Sequence, residues 1–393
     1  MEAQRRTWGS QTSLREANRG RIVDAVKKYG GLSQIELAGL TGLSPATVSN
    51  IVKELSNAGV LHTAPSTRSG RRAQHVTLAH ALGLVAGVHF STRHLRIAVS
   101  DVAHTVVAES HMPLAKDHRA DNELDRVMLL LADMLESVDA AMIDVLAIGI
   151  ALPAPFDQRT GTVAGNGFMR GWDGVEVADV MQKRLQRPVF VDTAANAAAL
   201  GELRLGAARG RSDVVYIDVG ERIAAGLVLG GRVYAGHAGI AGELGHTVIR
   251  EGGPLCVCGR RGCLQAVAGG AAILENLQEG GRGLKLQDVI LHAMAGDAAS
   301  IRAIAEAGSA IGIATANLCN LLDPERIVVG GELGHAGELL LGPMRREVED
   351  SIVASGVRAP EIMQSQLGPM ATALGAATMA IDRVSIQPED HPA

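Results

Sequence analysis

The chain has 393 residues, 47% of them hydrophobic and 20% charged, which is enough apolar material for more than one core and too much for a disordered protein. No apolar run reaches the roughly 18 residues that a membrane-spanning helix needs; the longest, Val145 to Phe156, is broken by Pro153 and Pro155. Four cysteines in a chain this long exclude a disulfide framework, and Met1 to Arg6 show no signal-peptide pattern, so the expected location is the cytoplasm.

The net charge of −5 hides an asymmetry. Residues 1–80 hold 11 Lys and Arg against 5 Asp and Glu, while the other 313 residues hold 26 against 37. A basic head on an acidic body suits a head that meets nucleic acid and a body that does not.

In chain order, Ser13 with Glu16 reads as a capping box before a helix carrying Ile22, Val23 and Val26, stopped by Gly30 and Gly31. Ser33 with Glu36 repeats the signal for a second helix that ends at Gly42. A third helix starts at Ser44 as N-cap and Pro45 as first residue, and buries Val48, Ile51, Val52 and Leu55. Two short capped helices joined by a Gly turn predict a helix-turn-helix in a domain spanning 12–80. Ser44, Ala46, Thr47, Ser49, Asn50 and Lys53 fall on the face that would meet double-stranded DNA. Val60–Thr63 and His75–Leu78 read as the strands of a wing whose tip carries Arg68, Arg71 and Arg72, side chains suited to the minor groove or to phosphates. A two-fold operator then calls for a homodimer or a dimer of dimers.

From Leu84 the pattern turns to strands: Leu84–Val88, Leu95–Ser100 and Thr105–Ala108, a helix at 122–138, then a buried strand at Val145–Leu152. It recurs as Asp213–Val219, Ile223–Leu229 and Arg232–Tyr234, followed by a helix at 303–322 and a strand at Ile327–Val329. This duplication predicts two similar lobes facing a cleft.

Cys256, Cys258 and Cys263 lie within eight residues, with His246 ten positions upstream. Four such ligands satisfy a tetrahedral zinc ion. The C-x-C spacing leaves a redox pair open, and the turns at Gly259 and Gly262 favour zinc. Cys319 reads as a core thiol. His335, in a second Gly-Glu-Leu-Gly-His copy with no cysteines after it, reads as a surface or capping residue.

Gly242-Glu243-Leu244-Gly245-His246 followed by Cys256-Val257-Cys258-Gly259-Arg260-Arg261-Gly262-Cys263 resembles the signature of the ROK family of repressors, open reading frames and sugar kinases, specifically its winged-helix regulators. The resemblance implies an α/β fold in which a winged helix-turn-helix precedes an actin-like, hexokinase-like body of two ribonuclease H-like lobes. The first lobe would span 83–195, completed by a C-terminal helix at 370–385, and the second 196–369, with a structural zinc beside a sugar pocket. It also implies that Asn166, Glu243 and His246 match sugar-contacting positions, whereas Gln265 stands where an acid is usual.

Kinase members of the family need two phosphate loops and a general base. Here the first loop reads His89-Phe90-Ser91-Thr92-Arg93, and the second reads Gly220-Glu221-Arg222-Ile223-Ala224. With Asn196 and Glu202 in register, the Asn-Asp pair aligns with Thr193-Ala194. Asp192 could replace the base only if the loop slipped. The expectation is a repressor with a kinase-dead body that senses a carbohydrate or sugar phosphate. A sugar kinase is the enzyme alternative, and a regulator answering to a protein partner is the third. Phe156, Phe168 and Trp172 stand either as a platform for a pyranose ring or as core.

Overall fold

The computed structural model describes residues 11–68, 71–115, 118–157, 160–163, 169, 171–277, 283–352 and 359–384. The head contains α1 (Gln11–Tyr29), β1 (Leu32–Ser33), α2 (Gln34–Thr41), α3 (Pro45–Asn57), β2 (Leu61–Arg68) and β3 (Arg71–Leu78). Local chemistry accounts for most of these boundaries. The Ser33 hydroxyl accepts from Glu36 N while the Glu36 carboxylate accepts from Ser33 N, completing the capping box of α2, and Gly42 ends that helix with φ 70°. Ser44 caps α3 by accepting from Thr47 N, and Val48, Ile51, Val52 and Leu55 are the residues α3 buries.

Two expectations for the head change. Ser13 lies inside α1 rather than at its N-cap, because the helix already runs at Gln11. The wing is longer than expected, with β2 and β3 paired from Leu61↔Leu78 to Arg68↔Arg71, and β3 also pairs with β1, a two-residue strand too short to leave a periodic signal. The head core of Ile22, Leu37, Ile51, Leu55 and Val76 continues into the body through Leu82, Val102 and Leu146.

The body follows as β4 (Leu84–Phe90), β5 (His94–Asp101), β6 (Val106–Pro113), α4 (Ala120–Glu136), β7 (Val145–Leu152), β8 (Phe156–Asp157), β9 (Thr162–Val163), α5 (Val177–Leu185), β10 (Val189–Thr193) and α6 (Ala194–Leu205). Then come β11 (Val214–Val219), β12 (Ile223–Leu229), β13 (Arg232–Val233), α7 (Leu264–Ala268), α8 (Gly270–Leu277), α9 (Leu286–Met294), α10 (Ala298–Leu322), β14 (Arg326–Gly330), α11 (Glu338–Ser351), β15 (Glu361–Gln364) and α12 (Ala371–Arg383).

The predicted duplication is complete in the sheets. One sheet has the order β10-β7-β4-β5-β6 and the other β15-β14-β11-β12-β13. In each, an antiparallel three-strand meander is extended by two parallel strands, with registers such as Ile150↔Val191 and Ile217↔Val329. The outer face of the first sheet packs Val88, Phe90 and Ile97 against Leu124, Val127 and Leu131 of α4. The outer face of the second packs Ile217 and Val329 against Ile304 and Ile311 of α10 and Leu340 of α11.

Between the sheets lie α6 and α12, both rich in Ala and Gly. A Cβ on Gly375 of α12 would meet Ala197 O of α6 at 1.7 Å, one on Gly149 of β7 would meet Ala376 O at 1.9 Å, and one on Gly226 of β12 would meet Ala195 O at 2.2 Å. Small residues therefore let two helices fill a layer bounded by both sheets, with α12 against the first and α6 against the second.

Candidate functional site

In the head, α3 turns its apolar stripe inward and leaves Ser44, Ala46, Ser49, Asn50 and Lys53 exposed. Thr47 is only half-exposed, and its hydroxyl lies 2.8 Å from Ser44 Oγ, so capping already occupies part of its hydrogen-bonding capacity. Ion pairs from Arg15 and Arg19 to Glu54 fasten α1 to α3. The backbones of Arg68 and Arg71 end β2 and begin β3 at the wing tip; the side chains of Arg68, Arg71 and Arg72 lie outside the described residues.

The four expected metal ligands come together. Ligand atoms of His246, Cys256, Cys258 and Cys263 all lie within 4.8 Å of one another, with Cys256 Sγ 3.5 Å from His246 Nδ1 and Cys258 Sγ 3.7 Å from Cys263 Sγ. A tetrahedron with bonds of about 2.3 Å has edges of about 3.8 Å, so the donor set fits zinc. The local fold follows from sequence. Cys256 N donates to Arg260 O and Gly259 N to Cys256 O, making a tight knuckle. A Cβ on Gly262, at φ 73°, would fall 1.6 Å from Arg250 O, so only glycine closes the loop. The Cys258 thiol is brought down to about 7, chiefly by the Arg260 backbone N–H, while burial and the neighbouring thiols push Cys263 up to about 12. Burial, then Arg222 and Arg260, lower His246, favouring the neutral imidazole a metal requires. Cys319 is apart from this cluster, buried in α10.

With Nδ1 facing the cysteines, His246 turns Nε2 toward Glu243 Oε2, 3.9 Å away. Both residues line a cavity of about 620 Å³ between the lobes, together with Thr193, Ala194, Arg222 and Gln265. Burial raises the Glu243 carboxyl, opposed by Arg222. Gln265 lines the cavity too, but its amide is committed: Oε1 accepts from Ile223 N and Nε2 donates to Glu221 O, each at 2.7 Å. Gln265, two residues after Cys263, therefore braces the second loop from the cavity wall. Asn166 lies outside the described residues.

Ala194 lines the cavity and presents only a methyl group to it. Asp192 does not line it. Its Oδ1 accepts from Thr193 N and Asn196 Nδ2, and it borders a different cavity, on the side of the head. The two altered loops meet across the cleft, where Arg93 Nε donates to Glu221 Oε1 at 3.0 Å and Thr92 donates to Glu221 Oε2. This bridge borders both the first cavity and a second one of about 670 Å³ that contains His89, Arg96, Asp218 and the exposed His335. The complementary change in both loops was the signal for it, a new arginine in one and a new carboxylate in the other. The platform of aromatic rings is overturned for its described members. Trp172 is fully buried, stacked edge-on against Phe90 and donating Nε1–H to His118 O, and Phe156 is in the same core; neither lines the cleft. Phe168 lies outside the described residues.

A DNA-binding head on a duplicated two-lobed body, with a cluster of one histidine and three cysteines beside its cleft, defines the class of the chain. Residues 85–383 match the ROK family model and residues 15–61 the winged helix-turn-helix DNA-binding model, and the chain belongs to the ROK family. It is 27% identical to the xylose repressor of Bacillus subtilis over 378 residues, covering 95% of this chain and 97% of that one. It is 28% identical to the DNA-binding transcriptional dual regulator NagC of Escherichia coli (85% and 84%), and 33% identical to the glucokinase of Thermotoga maritima (69% and 90%). Among solved structures, a ROK family transcriptional regulator homologous to the MLC protein of E. coli superimposes with a TM-score of 0.76 at 25% identity, covering 94% and 96%. The ROK glucokinase of Streptomyces griseus with glucose and AMPPNP gives 0.69 at 27%, covering 76% and 99%.

Proposed function

We propose that this chain is a sugar-responsive transcriptional repressor whose body binds a carbohydrate or sugar phosphate between its lobes without phosphorylating it. The observation that carries the reading is the cleft floor. Ala194 stands where a general base is needed, and Asp192 is turned to the opposite side by its bonds to Thr193 and Asn196. The Glu221 bridge adds a carboxylate, and a link between the lobes, where the two loops that kinase members need for phosphate meet. Arg222, Glu243 and the Nε2 of His246 are the polar groups offered to the ligand, and Asn166 joins them by its place in the family signature.

Zinc, one ion per chain, would be structural, because four protein ligands leave no open position for water. His246 would hold it through Nδ1, the nitrogen that faces the cysteines, which would fix the ring beside Glu243. The chain divides at 12–80 for the head, 83–195 with 370–385 for the first lobe, and 196–369 for the second. The head reads operator DNA through Ser44, Ala46, Thr47, Ser49, Asn50 and Lys53 and through the wing arginines, as a homodimer or dimer of dimers in the cytoplasm.

The test has two arms. An operator selected from random DNA is titrated with and without xylose, glucose, N-acetylglucosamine and their phosphates, and the same sugars are incubated with ATP. The expected outcome is release of DNA by at least one sugar and no turnover with any. Turnover would establish the glucokinase-like alternative, and release by none would leave a protein-partner switch.

A further inference from the structure

A third cavity, of about 460 Å³, lies where the head meets the body, bounded by α1, α6, α12 and the turn before β13. Its walls bring together five cationic side chains, Lys27, Lys28, Arg204, Arg232 and Arg383, against three carboxylates, Asp24, Asp192 and Asp382. Two of the carboxylates are already engaged. Asp382 pairs with Arg204 at 3.3 Å, and Asp192 accepts from Thr193 and Asn196 with Arg383 at 3.8 Å. Lys27 is buried, and its ammonium donates to Val384 O at 2.7 Å and Asp382 O at 3.5 Å, at the end of α12.

Lys28 and Arg232 are left without a carboxylate within ion-pair distance among the described residues. Lys28 Nζ lies 3.6 Å from where a Cβ on Gly231 would stand, over the turn that precedes Arg232. One comes from the head and the other from the body, so cations from both domains border the joint. Deeper in the same wall, Arg204 keeps its side chain 9% exposed and its Nε without a hydrogen-bond partner. A surplus of two positive charges, a buried donor without a partner, and cations converging from two domains together describe the needs of a multivalent oxyanion.

We propose that the head–body joint is a binding site for a small phosphorylated ligand, its phosphate held between Lys28 of the head and Arg232 and Arg204 of the body. The site is separate from the interlobe cleft, and the proposal does not depend on what the cleft binds. A bound phosphate bridges cations of the head and the body and so clamps the head in the orientation seen here. Anion occupancy then couples to DNA affinity by linkage.

The experiment is calorimetry of the full chain with pyrophosphate in phosphate-free buffer, for the unmodified protein, Lys28→Ala and Arg232→Ala. Both substitutions fall on solvent-accessible side chains, and circular dichroism reports whether each variant folds. The expected result is one saturable site per chain, weakened about tenfold by either change. Glu243→Ala, which alters the cleft, should leave it in place. Absence of saturable binding, or an affinity in both variants equal to that of the unmodified protein, would overturn the proposal. So would a loss of operator affinity in the two variants together with no pyrophosphate binding, which would give these cations to the DNA backbone instead.

Discussion

Replacing Gln265 by leucine separates a brace from a ligand contact. The side chain fills similar space, so the change is polar: the N–H of Ile223, a buried residue, and the C=O of Glu221 each lose a partner 2.7 Å away. A hydrogen bond contributes about 1 kcal/mol net, and a buried backbone group left unpaired costs about 1–3 kcal/mol, so the expected loss is about 2–4 kcal/mol. Urea unfolding followed by circular dichroism measures it, and hydrogen exchange at the amides of 220–223 locates it. Zinc content should stay unchanged while sugar affinity falls, because the loop that carries Arg222 loosens. Gln265→Glu should behave similarly: it keeps an acceptor for Ile223 N but cannot donate to Glu221 O. A stability loss below about 0.5 kcal/mol with unchanged exchange would refute the bracing role. A fall in sugar affinity alone would make Gln265 a direct contact.

Trp172→Ala should cost about 3–5 kcal/mol in urea unfolding, since the ring is fully buried against Phe90 and His118, and leave sugar affinity of the folded fraction unchanged; a selective loss of sugar binding would return it to the pocket. Burial raises Asp218 from 3.8 to about 6, partly opposed by Arg96, so protonation favours the folded state. Its stabilising contribution is complete below about pH 4 and is lost as pH rises through 6. Asp218→Asn should therefore match the unmodified protein near pH 4 and exceed it by up to about 3 kcal/mol at pH 8, and parallel pH profiles would contradict this. Cys258→Ser should lower bound zinc and the melting temperature together, and elemental analysis finding no metal in the unmodified protein would remove the zinc assignment.

The sequence carried the elements of this fold that rest on local chemistry. Ser33, Glu36, Gly42, Ser44 and Pro45 set the head helices, and the repeated meander at Leu84 and Asp213 announced two sheets of the same topology. Contacts between distant segments were hidden. Gln265 does line the cavity, but its place in the family signature says nothing about the strand end it braces. Trp172 read as a possible platform because its nearness in sequence to Asn166 does not reveal the core beneath the loop. The link between Arg93 and Glu221 spans 128 positions, and only two simultaneous charge changes hinted at it. Crossings such as Gly375 on Ala197 left only a composition rich in Gly and Ala, and nothing there names the partners.

The central claim is that sugar and operator compete through one molecule, and reciprocal titration tests it most directly. Operator affinity is measured across a series of sugar concentrations, and sugar affinity is measured with and without operator. If the lobes and the head form one coupled system, each ligand must weaken the other by the same factor, and a coupling of about 1–3 kcal/mol corresponds to about 5–150-fold. The expected result is equal, mutual weakening for one sugar or sugar phosphate, abolished by Glu243→Ala with operator binding intact. A sugar that binds tightly while operator affinity stays constant would contradict the account.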